Sequence, residues 1–212
     1  MTCKERILSN EYADVIIDYV LPEEELQRLN FDYCFSEIDE EFGTAYINRQ
    51  EIPPLSVGMY GYSSIPKLYG LMQTFQAENL VETGNLQIQG PPLSLKGTGV
   101  IIGFIDTGIR YQLDVFKNES GGSRILSIWD QTIQSGEPPE GFLYGTEYTR
   151  EEIDRALQSQ TPLDVVPTTD ENGHGTAMAS TAAGSILGQG LSFRGAAPET
   201  DIAVVKLKGA KR

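Results

Sequence analysis

The chain of 212 residues contains a single histidine, the side chain best suited to proton transfer near neutral pH. His174 lies between Gly173 and Gly175 in the segment DENGHGTAMASTAAG. The two glycines free the backbone on both sides, and the alanines that follow would let a helix pack closely against a sheet. We therefore predict an imidazole at the N-terminal end of a buried helix, facing a cleft. A loop histidine without a chemical role is the alternative for this segment alone.

The second candidate is an aspartate at the end of an apolar run. GVIIGFID predicts a parallel strand covered on both faces, with Asp106 at its carboxyl end. Catalytic groups and ligands collect at that edge of parallel α/β sheets. Taken alone, Asp106 could instead start or cap the turn that follows. The glycines of GTGVIIG do not predict a dinucleotide site, because they precede the strand and lie within it rather than opening a helix.

Together, the two residues match the start of a known catalytic arrangement. Asp106 precedes His174 by 68 positions, in the order that subtilisin uses for its Asp-His-Ser triad. IDTGI resembles the aspartate motif of subtilisin-like serine proteases, and NGHGTAMAS resembles their histidine motif. IPKLYGLM, IWDQTI and YGTEYTREEI are similar to the clostridial spore-germination branch, and the resemblance extends from about Ile65 to the last residue.

This resemblance implies a serine endopeptidase with an α/β, parallel-sheet catalytic domain. A serine would attack the scissile carbonyl, His174 would take its proton and later return it, and Asp106 would orient the ring. The implied substrate is a protein or peptide, and more narrowly a precursor protein cleaved during spore germination. A pseudoprotease that keeps the fold without the reaction is the main alternative, and a small α/β binding module of other ancestry is a further one.

The sequence departs from the family pattern in three places. Ala177 and Met178 stand where many members have a second histidine and a valine. Asp114 is out of register with an aspartate that often binds calcium, so we expect no metal and no cofactor. The nucleophile motif Gly-Thr-Ser occurs nowhere in the sequence. The resemblance therefore implies a catalytic domain truncated before its serine motif, and we expect the 212-residue fragment to be inactive.

Two domains are predicted. The pattern of residues 1–62 indicates a small α+β domain, and the resemblance implies that it is a propeptide that folds the catalytic domain and blocks its cleft. Residues 63–212 would form the N-terminal half of the peptidase domain, and the Pro-, Gly- and Ser-rich segment EIPPLSVGMYGYSSIP places the boundary near Ser63. In the first domain, ADVIIDYV predicts a strand, LPEEELQRLN a short helix, and FDYCFSEIDEEFGTAYINRQ one helical turn and one strand.

In the second domain, RILSIWD and DIAVVKL predict two further strands of the sheet. TREEIDRAL predicts a helix with Thr149 as the N-cap and Glu152 three residues later, the pattern of a capping box. Ile153, Ala156 and Leu157 then fall on one helical face. Because open apolar strands of a truncated sheet recruit other chains, we expect the 212-residue chain to self-associate.

The composition of the chain limits which partners we expect it to bind and in which compartment we expect it to be made. A net charge of −14 disfavours nucleic acid and anionic membranes. No apolar run is long enough to cross a bilayer, and the first twenty residues lack the apolar core of a signal peptide. We therefore predict cytoplasmic synthesis, and the resemblance allows incorporation into the spore. Cys3 and Cys34 are too few for a disulfide framework, and we expect unpaired thiols in a reducing compartment.

Overall fold

A computed structural model describes residues 1–18, 34–52, 85–188 and 191–211 of the chain. The chain divides into two compact units, the first made of Met1–Gly70 with Gly209–Arg212 and the second of Leu71–Lys208. The helix predicted at LPEEELQRLN and the boundary near Ser63 lie outside the described residues. The assignment of residues 1–62 as a propeptide stays a prediction.

The first unit combines a helix with an antiparallel sheet. Helix α1 begins after Thr2, whose backbone N–H donates to the Glu5 carboxylate at 2.7 Å in a capping box. The strand predicted at ADVIIDYV is confirmed over its described residues, and three strands pair in the order β1-β3-β2. The elements are α1 (Cys3–Leu8), β1 (Tyr12–Asp18), β2 (Cys34–Glu37), β3 (Phe42–Asn48) and a 3₁₀ turn (Arg49–Glu51).

One expectation for this unit is incomplete and another is wrong. The segment predicted to supply one helical turn and one strand supplies two strands, the hairpin of β2 and β3, and its last two residues begin the 3₁₀ turn. The side chain of Asp39 accepts the backbone N–H groups of Glu41 and Phe42, and these bonds fix the reversal of the chain. Cys3 and Cys34 are not unpaired thiols but form a disulfide, with their Cα atoms 5.2 Å apart. The cysteine count could not show this pairing, because it depends on α1 packing beside β2.

The second unit is built on a four-stranded sheet in the order β4-β9-β5-β6. Strands β4, β9 and β5 are parallel, so their carboxyl ends lie at one edge, and β6 runs antiparallel to β5. The three strands predicted in this part of the chain are confirmed, and the fold is mixed α/β. The strands are β4 (Ile101–Asp106), β5 (Ile125–Asp130), β6 (Thr146–Thr149) and β9 (Asp201–Lys206).

Helices and a hairpin complete the second unit. The predicted capping box is confirmed, since the backbone N–H of Thr149 donates to Glu152 at 2.9 Å, and Ile153 and Ala156 are fully buried. Among the described residues, none of the helices has the length and apolar character needed to span a bilayer. The remaining elements are α2 (Asn85–Ile88), a 3₁₀ turn (Asp114–Phe116), α3 (Arg150–Leu157), α4 (Pro162–Val165), α5 (His174–Ala183), β7 (Ser185–Gly188) and β8 (Leu191–Arg194).

Strand β4 is covered on only one face, so the prediction of coverage on both is wrong. Ile102 and Phe104 pack against the core, whereas Ile101 is 60% exposed and Ile105 is 69% exposed. The alternation follows from strand geometry, because successive side chains of a strand point to opposite faces of the sheet. Within the described residues, β4 is the outermost strand of its sheet and α5 packs against it.

The exposed face of β4 generates a prediction about self-association. Ile101→Lys should weaken association of the 212-residue chain by about tenfold or more, because a buried isoleucine contributes about 1.5–3 kcal/mol and a lysine discourages edge pairing. Sedimentation velocity over a concentration series measures the change. Leu163→Lys is the matched control, since Leu163 is 45% exposed but lies on α4, away from the sheet. Equal effects of the two substitutions would contradict a role for the β4 face.

Candidate active site

The structure brings Asp106 and His174 into direct contact. The imidazole Nδ1 lies 2.8 Å from Oδ1 of Asp106 and 2.9 Å from Oδ2. Both side chains are largely buried, with 10% of the histidine and 15% of the aspartate side chain exposed. Because an ionised carboxylate can only accept hydrogen bonds, the contact requires the proton on Nδ1. The other ring nitrogen, Nε2, is then the basic one.

Asp106 is held by the end of β4 and the turn after it. The backbone N–H of Thr107 donates to Oδ1 of Asp106 at 2.7 Å, and the backbone N–H of Leu207 donates to its carbonyl oxygen at 2.9 Å. The first bond constrains the carboxylate and the second ties the strand end to β9. The carboxylate therefore has a fixed place at the carboxyl edge of the sheet.

His174 is the first residue of α5, and its two glycine neighbours serve different purposes. Gly173 has a φ of +86°, the left-handed region that suits glycine at the start of this helix. Gly175 has no room for a side chain, because a Cβ there would lie 2.3 Å from the carbonyl oxygen of Gly108. It would also lie 3.1 Å from Cβ of Asp106. The missing side chain at Gly175 thus lets the helix approach the turn after β4.

The rest of α5 packs through small side chains. Ala179 and Ala183 are fully buried. Ser180, the serine nearest in sequence to His174 within the helix, donates its hydroxyl to the carbonyl oxygen of Thr176 at 2.7 Å. Ser180 is therefore committed to a local hydrogen bond and does not present a free nucleophile.

Lys206, a buried lysine next to the site, forms its ion pairs with residues other than Asp106. Lys206 is the register partner of Asp106 on β9, yet its ammonium lies 3.6 Å from Asp130 and 3.2 Å from Glu171. Among the ion pairs of the described residues, the Asp106 carboxylate pairs with the imidazole alone. Its negative charge is therefore directed at the ring rather than neutralised by the lysine. Lys206 was not among the predicted site residues, although a lysine within the otherwise apolar end of DIAVVKL was a usable signal.

Asp114, considered and set aside as a calcium ligand, contacts Lys117 at 2.7 Å. Across residues 1–18, 34–52, 85–188 and 191–211, no group of three or more His, Cys, Asp or Glu side chains is arranged to hold a metal ion. The expectation of no metal stays a prediction. A second acidic residue, Asp170, lies four positions before His174, and the structure buries it completely.

Comparison with known proteins matches this part of the chain to one family. The sequence profile of the subtilase family, peptidase S8, matches residues 97–212. The subtilisin-like protease SBT3.10 of Arabidopsis thaliana is 34% identical over 128 residues, which cover 52% of this chain and 16% of that protein. SBT3.6 of the same plant is 31% identical over 125 residues, with the same coverage. The chain thus spans about a sixth of the length of these relatives.

A solved structure gives the same relationship in three dimensions. The chain is similar to the CspB protease of Clostridium perfringens, with a TM-score of 0.53 and 30% sequence identity. The match covers 65% of this chain and 27% of that one. The parallel-containing sheet described above is consistent with this similarity.

The close approach at Gly175 generates a prediction about stability. Gly175→Ala should lower the free energy of unfolding of the second unit by at least about 2 kcal/mol, because the added methyl group meets backbone that cannot move aside. Gly103→Ala is the control, since the φ of Gly103 lies outside the left-handed region and nothing lies within 4 Å of an added Cβ. We expect a change within about 0.5 kcal/mol there. Urea unfolding followed by the fluorescence of Trp129, the only tryptophan, measures both. A small effect of Gly175→Ala would contradict the close approach.

Proposed function

The chain belongs to the subtilase family, and from that premise we propose that Asp106 and His174 are the aspartate and histidine of an Asp-His-Ser triad in a serine endopeptidase. The observation that carries the proposal is the contact of Nδ1 with the Asp106 carboxylate at 2.8 Å. A histidine that takes a proton through Nε2 needs its other nitrogen fixed by an acceptor. The family and the fold supply the context for this assignment.

The chemistry then follows from the two nitrogens of one ring. Nε2 of His174 removes the proton from a serine hydroxyl while the serine oxygen attacks the scissile carbonyl carbon. The imidazolium that forms is stabilised by the Asp106 carboxylate, which stays ionised. The proton passes from Nε2 to the leaving amine as the C–N bond breaks. Water then repeats the sequence on the acyl-enzyme and regenerates the serine.

In this proposal the serine and its oxyanion hole come from a segment outside the 212 residues. The residues of this chain and the length of its relatives both support this placement of the serine. The sequence contains no Gly-Thr-Ser motif, the hydroxyl of Ser180 is bonded to the helix backbone, and the matched relatives are several times longer than the chain. The isolated chain would then carry a base and its orienting acid without a nucleophile.

The substrate and the role of the N-terminal residues are further parts of the proposal. The 30% identity to a clostridial Csp protease supports a protein substrate, which we take to be a precursor processed in spore germination. Residues 1–62 would act as a propeptide, and its segment before Ser63 would lie in the cleft of the catalytic domain as an extended strand. The acidic chain would act on protein and bind neither nucleic acid nor membrane.

The triad assignment predicts the effect of two substitutions in the complete protein. His174→Ala should abolish release of the propeptide near Ser63, since loss of one triad member costs orders of magnitude in rate. Asp106→Asn should reduce turnover by about 10⁴-fold, because asparagine keeps the shape but favours the wrong tautomer of the ring. Gel mobility reports propeptide release in His174→Ala, and peptide hydrolysis measures turnover in Asp106→Asn. Ser180→Ala is the control that should leave both unchanged. Normal processing and turnover in His174→Ala would remove His174 from the reaction.

The location of the nucleophile predicts a difference between the isolated chain and the complete protein. A fluorophosphonate probe should label the complete protein on a serine outside residues 1–212, and it should not label the 212-residue chain. Intact mass and peptide mapping locate the adduct. Stoichiometric labelling of the isolated chain would place the nucleophile within these residues. A complete protein that binds substrate but takes no label would favour the pseudoprotease.

A further inference from the structure

Asp170 is a buried carboxylate that is satisfied by hydrogen bonds. Its side chain is fully buried, and among the ion pairs of the described residues none involves it. Oδ1 accepts the Thr107 hydroxyl and the Gly173 backbone N–H, each at 2.8 Å. Oδ2 accepts the backbone N–H of Thr176 at 2.9 Å and its hydroxyl at 2.7 Å. A buried charge persists only when its hydrogen-bonding capacity is met in this way.

One side of this carboxylate holds the turn that carries Asp106. The Thr107 hydroxyl donates to Asp170 and accepts the backbone N–H of Gly175 at 3.0 Å. The backbone N–H of the same threonine donates to the Asp106 carboxylate. Thr107 therefore connects Asp170 to Asp106 on one side and to the residue after His174 on the other.

The Asp170 carboxylate also holds the first turn of α5 in place. Gly173 is the N-cap of this helix and has no side chain to accept the free N–H groups there. Asp170, three residues earlier, accepts the N–H groups of Gly173 and Thr176 instead. Its negative charge also complements the positive end of the helix dipole. The start of α5, and with it His174, is fixed relative to Asp170.

Burial would raise the pKa of the Asp170 carboxyl, but the hydrogen bonds from Thr176, Gly173 and Thr107 outweigh it and hold the pKa below its usual value. The group is therefore ionised near neutral pH and accepts all four bonds. The side-chain amide of an asparagine at this position could accept hydrogen bonds only on its oxygen. Its nitrogen, which is itself a donor, would lie opposite two of the four groups that donate to Asp170.

We propose that Asp170 is a positioning residue that holds the Asp106 carboxylate and the His174 imidazole in register by bonding to the chain segments that carry both. It touches neither the ring nor a reacting atom. Its relevance to catalysis rests on the proposed function, but the positioning itself does not. A carboxylate that only caps a helix would stabilise the fold without affecting the tautomer of His174, and this difference makes the proposal testable.

The test is the ring tautomer of His174, read from its ¹⁵N resonances, which are unambiguous because the chain has one histidine. The 212-residue chain with Ile101→Lys is used to favour the monomer, at a pH where the ring is neutral. We expect the Nδ1–H form to dominate. Asp170→Asn should lower the ratio of the Nδ1–H to the Nε2–H form by about tenfold, which corresponds to weakening one charge-assisted hydrogen bond by about 1.4 kcal/mol.

Asp154→Asn is the matched control, because Asp154 accepts the backbone N–H of Ser123 at 2.7 Å and lies on α3 rather than beside the site. Asp154→Asn should change the free energy of unfolding without changing the tautomer of the His174 ring. If Asp170→Asn does not fold, Thr107→Val and Thr107→Ser replace it. The valine removes the hydroxyl and should shift the tautomer, whereas the serine keeps the hydroxyl and should not. A folded Asp170→Asn or Thr107→Val chain with unchanged ring resonances would overturn the proposal.

This experiment can fail separately from the proposed function. The ring measurement involves no proteolysis, so a shifted tautomer in a protein that takes no fluorophosphonate would refute the protease while Asp170 remains a positioning residue. An unchanged tautomer in Asp170→Asn, together with labelling of the complete protein, would refute the positioning role alone. Where the protease is active, Asp170→Asn should lower kcat with little change in KM, because it disturbs the ring and not substrate binding.

Discussion

The site depends on one short hydrogen bond between groups that lie 68 residues apart in the sequence, at 2.8 Å from the imidazole Nδ1 to the Asp106 carboxylate. Asp106 belongs to a strand and His174 to a helix, so the bond forms only if the start of α5 reaches the turn after β4. Gly175 allows that approach because it has no side chain, and the backbone of Gly108 fills the space. The sheet, the turn and the helix together present one basic nitrogen.

The charges around this bond support it by their placement. Lys206 lies beside Asp106 in the sheet register but forms its ion pairs with Asp130 and Glu171. The Asp106 carboxylate therefore directs its charge at the ring. Asp170 contributes its negative charge through hydrogen bonds to the surrounding backbone and hydroxyl groups, without contacting the ring. In the proposed site, the role of Asp106 is thus electrostatic and that of Asp170 is geometric.

The local features of the fold could be predicted from the sequence, and the long-range ones could not. The strands at GVIIGFID, RILSIWD and DIAVVKL and the capping box at Thr149 depend on nearby residues, and the structure has them. The exposure of one face of β4 depends on which distant elements pack against the strand. The Cys3–Cys34 disulfide depends on how a helix packs beside a hairpin. The motifs led to Asp106 and His174, but the burial of Asp170 required the fold, because its donors come from two distant segments.

A double-mutant cycle tests whether Asp106 and His174 act as one unit. The free energies of unfolding of Asp106→Ala, His174→Ala and the double variant are measured with the fluorescence of Trp129, against the parent chain. For a largely buried, charge-assisted hydrogen bond, the account predicts a coupling of at least about 1 kcal/mol between the two substitutions. Additive effects, with a coupling near zero, would contradict it.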